Sequence, residues 1–159
     1  MQRLQALIRA VPDFPSAGIV FRDITPLLAE PWRDADVQSV CAIESRGFIF
    51  GAALATALGA GFVPLRKPGK LPPPVVAVDY ELEYGRDRLE ARADAFGSGE
   101  RVLIVDDVLA TGGTLCAARS LVARLGAQVV GASVLIELGA LAGRARWGDG
   151  APLHALLAY

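Results

Sequence analysis

The chain has 159 residues, 53% of them hydrophobic and 21% charged, with a formal net charge of −1. This describes one domain with a proper core and excludes a disordered chain. A charge near zero gives no general attraction to nucleic acid or a membrane surface, so an anionic substrate needs local basic clusters.

In chain order, the first apolar segment is broken by Arg3, Arg9 and Pro12 and does not read as a signal peptide. Its spacing predicts a helix over Leu4–Val11, ending before Pro12. After Leu28, the run Ala29–Val37 has room for about two helical turns at most before a strand at Ser39–Ile43. A Glu44-Ser45-Arg46-Gly47 turn follows, then a helix over Phe48–Leu58, a Gly59-Ala60-Gly61 turn and a strand over Phe62–Arg66. Gly47–Leu65 carries no charge and approaches the ~20 residues that cross a bilayer. Its four glycines, Thr56 and Pro64 favour a buried helix, turn and strand instead.

Pro68–Pro74 is a loop with four of the ten prolines. Val75–Tyr80 and Arg88–Ala91 read as an antiparallel ribbon around Glu81–Gly85, with Glu81 and Glu90 solvated. A strand at Val102–Val105, a helix over Leu115–Leu125, a strand over Val129–Ile136, a short helix near Leu138–Arg144 and a strand over Leu153–Leu157 complete the chain. This alternation predicts an α/β fold with a parallel sheet covered by helices on both faces. The loops after Ile43, Arg66 and Val105 can then converge beyond the carboxyl ends of the strands. Cys41 and Cys116 are far apart and read as small buried hydrophobes, not as a disulfide or metal pair.

The segment Arg101–Thr114, RVLIVDDVLATGGT, carries the most chemistry. Val102–Val105 has the pattern of a strand buried on both faces. Ala110-Thr111-Gly112-Gly113-Thr114 falls at a helix N-terminus, where free N–H groups and the dipole attract an anion. No lysine follows the glycines and GxGxxG is absent, which excludes a Walker A loop and the dinucleotide fingerprint. Asp106-Asp107 would repel a lone phosphate. They fit hydroxyls beside that phosphate, as on a ribose, with a metal nearby.

VLIVDDVLATGGT resembles the phosphoribosyl-pyrophosphate (PRPP) motif of type I phosphoribosyltransferases. VPDFPSAGIVFRDITPLL, ESRGFIFGAALA, RKPGKLP and YELEYG narrow the resemblance to the adenine phosphoribosyltransferase family, in that family's order and over most of the chain. The resemblance implies a parallel twisted sheet flanked by helices, a flexible β-ribbon flap and a small N-terminal base-binding hood. The whole of 1–159 would be one domain, with the hood at about 1–28 and the core at about 38–159. It implies a pentosyltransferase in purine salvage, converting adenine and PRPP to AMP and pyrophosphate with Mg²⁺, in the cytoplasm and as a homodimer.

By the same resemblance, Ala110, Thr111, Gly112, Gly113 and Thr114 hold the 5′-phosphate, and Asp106 and Asp107 the ribose hydroxyls. Arg46, Arg66, Lys67 and Lys70 bind pyrophosphate, the Arg as planar forks and the Lys as mobile point charges. Glu83, at the flap tip, handles a purine proton, with Tyr84 covering the site. Glu83, Arg66 and Lys70 are the expected catalytic groups. Val20, Phe21 and Arg22 meet adenine on one face and Leu138 on the other. Mg²⁺ comes mainly with PRPP; no residue is assigned directly as its ligand, with Asp106 and Asp107 as candidates. His154, the sole histidine, lies in an apolar strand and reads as structural.

The chain departs from the family pattern after Leu28, where an amphipathic helix of several turns is expected. One sheet face is then exposed or covered by a partner subunit. Asp79 stands where a small polar residue is usual, and Pro72–Pro74 stiffen the flap root. Two alternatives remain: a regulator that binds PRPP or a purine on the same fold, and a transferase for another purine such as hypoxanthine or xanthine.

Overall fold

The computed structural model describes residues 9–13, 16–18, 20–23, 25–81 and 85–159, with 9, 11, 20–23, 25 and 26 as backbone alone. Strands β1 (Arg9–Pro12) and β2 (Val20–Asp23) pair antiparallel, with Val11 opposite Phe21. The helix expected over Leu4–Val11 is therefore corrected at its end: residues 9–12 are strand, and 4–8 lie outside the described residues. Backbone pairing with β2 overrides the helical spacing of the side chains.

Helix α1 (Thr25–Ala29) runs into a 3₁₀ turn at Glu30–Trp32. After it come β3 (Ser39–Ile43), α2 (Gly47–Leu58) and β4 (Gly61–Leu65). Strands β5 (Val75–Glu81) and β6 (Arg86–Arg92) form the expected antiparallel ribbon, with Asp79 opposite Arg88. Then follow β7 (Arg101–Leu109), α3 (Gly113–Arg124), β8 (Gln128–Glu137), a 3₁₀ turn at Gly139–Leu141, α4 (Gly143–Trp147) and β9 (Leu153–Ala158).

The central sheet has five strands in the order β4-β3-β7-β8-β9, and every pairing is parallel. All five residues of β3 are buried, as expected of a strand covered on both faces. One face carries Cys41, Ile43, Val102 and Ile104 under Leu115, Ala118 and Leu121 of α3 and Leu89 of the ribbon. The other carries Val40, Ala42, Leu103 and Val105 under Leu54 and Ala55 of α2, with Leu28 and Trp32. The ribbon is thus rooted in the core through Val78, Tyr80 and Leu89.

The short segment after Leu28 does not leave this second face bare. Trp32 is buried, and a Cβ built on Gly131 of β8 would lie 2.2 Å from its indole, so the ring rests directly on the strand backbone. A single large aromatic substitutes for helical cover, reaching from the 3₁₀ turn across to β8. Toward the sheet edge, Val130 and Leu156 are only partly buried beside it.

Candidate active site

Parallel pairing places the turns after β3, β4, β7 and β8 at the same end of the sheet, where open α/β sheets bind ligands. Two cavities open there. One, of about 350 Å³, is lined by Glu44, Arg46, Lys67, Asp106, Asp107 and Thr114, among others. The other, of about 450 Å³, is lined by Ala110–Leu115 together with Leu138 and Leu141. Val108, Ala110 and Thr114 border both, so the two cavities are neighbours on this end of the sheet. The loops expected to converge do so.

The loop between β7 and α3 turns on Gly112, whose φ of +79° suits glycine and little else. A Cβ there would meet the Gly143 carbonyl oxygen at 2.6 Å, and one on Gly113 would meet the Glu81 carbonyl oxygen at 2.8 Å. The glycines let the anion loop pack against the start of α4 and the end of β5. The backbone N–H groups at the start of α3 face the cavity end of the helix, a site suited to phosphate.

Strand β7 runs to Leu109, so Asp106 and Asp107 lie within it and not after it as the sequence predicts. Pairing with β8 continues past the apolar run, with Asp106 opposite Val134 and Val108 opposite Ile136. Asp106 is buried, which pushes its carboxyl up to about 8, and the neighbouring Asp107 adds to the shift. Its Oδ1 accepts the N–H of Asp107 at 2.9 Å. Asp107 accepts from Arg46 Nε at 2.5 Å, and the Arg46 side chain remains 73% exposed.

The basic loop is organised by a carboxylate. Glu44 accepts from Arg66 Nε at 3.0 Å, the Lys67 N–H at 2.8 Å and Lys70 Nζ at 2.5 Å. Burial alone would raise its carboxyl, but these donors outweigh burial and hold it down at about 2. Arg66 also lies over the Phe48 ring, 5.7 Å from its centroid. Lys67 points instead to the ribbon, donating to Tyr80 Oη at 2.8 Å and to Asp87. Burial opposes its charge, yet these partners raise its pKa.

Sequence reasoning missed four contributors. Glu44 was read only as part of a turn that cradles pyrophosphate through its backbone, Tyr80 as a ribbon and flap residue, and Asp87 was not singled out. Glu90 was read as solvated and is corrected: it is 8% exposed and accepts the Gly69 N–H at 3.1 Å. Leu89 and Ala91 face the core on either side of it, so alternation turns Glu90 to the opposite face, and its burial there, under the basic loop, had no signal in β6 itself.

Glu83 and Tyr84 lie outside the described residues. Val20, Phe21 and Arg22 form β2, known here as backbone alone. Leu138 joins the 450 Å³ cavity, as expected. His154 stands beside Ser133 across β9 and β8, away from the cleft; burial, then Arg144, lowers its pKa. Cys41 and Cys116 are both free, and burial pushes the Cys41 thiol up. Among the described residues no helix is long and apolar enough to cross a membrane, and no cluster of three or more metal-ligating side chains occurs.

The phosphoribosyl transferase domain family matches residues 19–149, which sets the chain in a class of pentosyltransferases. An adenine phosphoribosyltransferase of Xanthomonas euvesicatoria is 55% identical over 165 residues, covering 96% of this chain and 89% of that one. One of Methylococcus capsulatus is 53% identical over 172 residues and covers both chains completely. The solved adenine phosphoribosyltransferase of Rhodothermus marinus superposes with a TM-score of 0.80 at 48% identity, over 99% of this chain and 97% of that one. The chain belongs to the adenine phosphoribosyltransferase family. The 172-residue alignment exceeds this chain's 159 residues, in keeping with a sequence shortened relative to that relative.

Proposed function

We propose that this protein transfers the phosphoribosyl group of PRPP to adenine, giving AMP and pyrophosphate. The carrying observation is that Ala110 and Thr114 of the anion loop, the acidic pair Asp106 and Asp107, Arg46 and Lys67 all line one cavity, with Glu44, the carboxylate that orders the basic loop, among them. The whole chain acts as one domain, with a hood at about 1–28 over a core at about 38–159.

In this reading Ala110–Thr114 hold the 5′-phosphate, and Asp106 and Asp107 accept from the ribose hydroxyls. Arg46, Arg66, Lys67 and Lys70 exchange their present carboxylate partners for pyrophosphate oxygens, which offer more charge per site. The bond from C1 to the pyrophosphate oxygen breaks and the bond from C1 to the purine nitrogen forms. The cations hold the departing charge, and Glu83 takes the purine imidazole proton. Tyr84 and the flap exclude water from the oxocarbenium-like sugar. Val20, Phe21 and Arg22 face adenine on one side and Leu138 on the other.

Toward a cation carried in by the substrate, Asp107 would offer the charged carboxylate and Asp106, kept protonated by burial, a neutral acceptor beside it. Mg²⁺ bound with PRPP neutralises pyrophosphate oxygens. The protein works in the cytoplasm as a homodimer.

Incubation with PRPP, Mg²⁺ and adenine, following pyrophosphate and AMP, tests this reading. AMP is expected, with little product from hypoxanthine or xanthine. PRPP binding without turnover would instead identify a regulator on the same fold.

A further inference from the structure

The basic loop is gripped from two sides. Glu44 holds Arg66, Lys67 and Lys70 from the turn after β3. On the other side the loop is attached to the flap ribbon. The backbones of Arg66 and Glu90 exchange two hydrogen bonds of 2.8 Å, an isolated bridge between the end of β4 and β6. Three residues on, the buried Glu90 carboxylate accepts the Gly69 N–H. Gly69 has a φ of +73°, so this bond fixes a turn that only glycine adopts easily.

A buried carboxylate is costly unless its oxygens are hydrogen-bonded. Glu90 makes no ion pair among the described residues, and its donor there is a backbone N–H of the basic loop. A side chain kept under those conditions acts on what it holds. Gly69 lies immediately before Lys70, and the backbone bridge lies at Arg66, so Glu90 constrains the loop at both of its phosphate-directed cations.

We propose that Glu90 is a positioning residue that ties the basic loop to the flap ribbon through Gly69 and so sets the approach of Lys70 to pyrophosphate oxygens. This rests on the proposed transferase reading. With the side-chain tie cut, the backbone bridge still holds Arg66, while Lys70 keeps its charge but loses its fixed approach. PRPP binding then suffers while adenine binding, on the hood side, does not.

Steady-state kinetics of Glu90→Ala and Glu90→Gln test it. For Glu90→Ala the KM for PRPP rises about 10-fold, the loss expected for one hydrogen bond to a charged group, while kcat and the KM for adenine stay within about 3-fold. Glu90→Gln still accepts the Gly69 N–H through its amide oxygen and stays within about 3-fold of the parent throughout. A merely structural residue would lower the Tm without shifting the PRPP-to-adenine KM ratio. An unchanged ratio in folded Glu90→Ala, or an equal rise in Glu90→Gln, overturns the proposal.

Should Glu90→Ala fail to fold, amide exchange in the parent protein decides. Protection of Gly69 matching that of the β6 amides supports the tie, and exchange at the rate of an exposed loop overturns it. A parent without adenine turnover would defeat the transferase reading alone, because the Gly69 measurement still judges the tie.

Discussion

Asp106 shows how one residue is set by its place in the sheet. It ends a run in which Val102–Val105 are fully buried, and burial raises its carboxyl to about 8, far above the usual carboxylate range. The folded chain therefore keeps a proton that the unfolded chain releases, and stability falls as pH rises between about 4 and 8. In either protonation state the group can accept from a ribose hydroxyl. Asp106→Asn removes the titration but alters the ribose contact. Its Tm exceeds the parent's by about 5 °C at pH 8.5 and the difference shrinks toward pH 5, while the KM for PRPP rises about 10-fold. Thermal melts across pH check this. A Tm difference independent of pH would show that desolvation of Asp106 is not what strains the site.

At the scale of elements, the alternation of strand and helix was legible because parallel strands buried on both faces are short continuous apolar runs, as at Ser39–Ile43. The anion loop was legible because glycine and threonine at a helix start have few other uses. What was hidden depended on partners distant in sequence. Arg9–Pro12 is a strand only because Val20–Asp23 pairs with it. Glu90 is buried only because β6 lies against α3 and the basic loop. The short segment after Leu28 is a third case: sequence length argued for a sheet face exposed or covered by a partner subunit, whereas Trp32 of the same chain covers part of it by packing on Gly131. Trp32→Ala should thus cost about 3–5 kcal/mol, as for a large core aromatic, and lower the Tm by about 10 °C. Gly131→Ala should destabilise as well, since its Cβ would collide with the indole. If both variants melted with the parent, the indole would not be the cover.

For the whole molecule, the unequal treatment of α2 matters most. Its Leu54 and Ala55 are buried against the sheet, yet Ile49 on the same helix is 71% exposed and Phe62, edge-on to Phe48, is 40% exposed. A helix apolar on more than one face is suited to an interior, and the exposed side chains of α2 are what a second copy would cover. The homodimer proposed above would place a second copy there. The start of α2 adjoins the cleft, because Phe48 lies under the Arg66 guanidinium, and β4, which carries Phe62, leads directly into the basic loop. Loss of the partner should then loosen the pyrophosphate side before the adenine side. Ile49→Lys places a charge on the apolar patch without touching the buried face of α2. It is expected to convert the dimer to a monomer in sedimentation, to change the monomer's melting little, and to raise the KM for PRPP more than that for adenine. If the Ile49→Lys protein remained dimeric, the interface would lie away from α2, and a parent that sedimented as a monomer would remove it altogether.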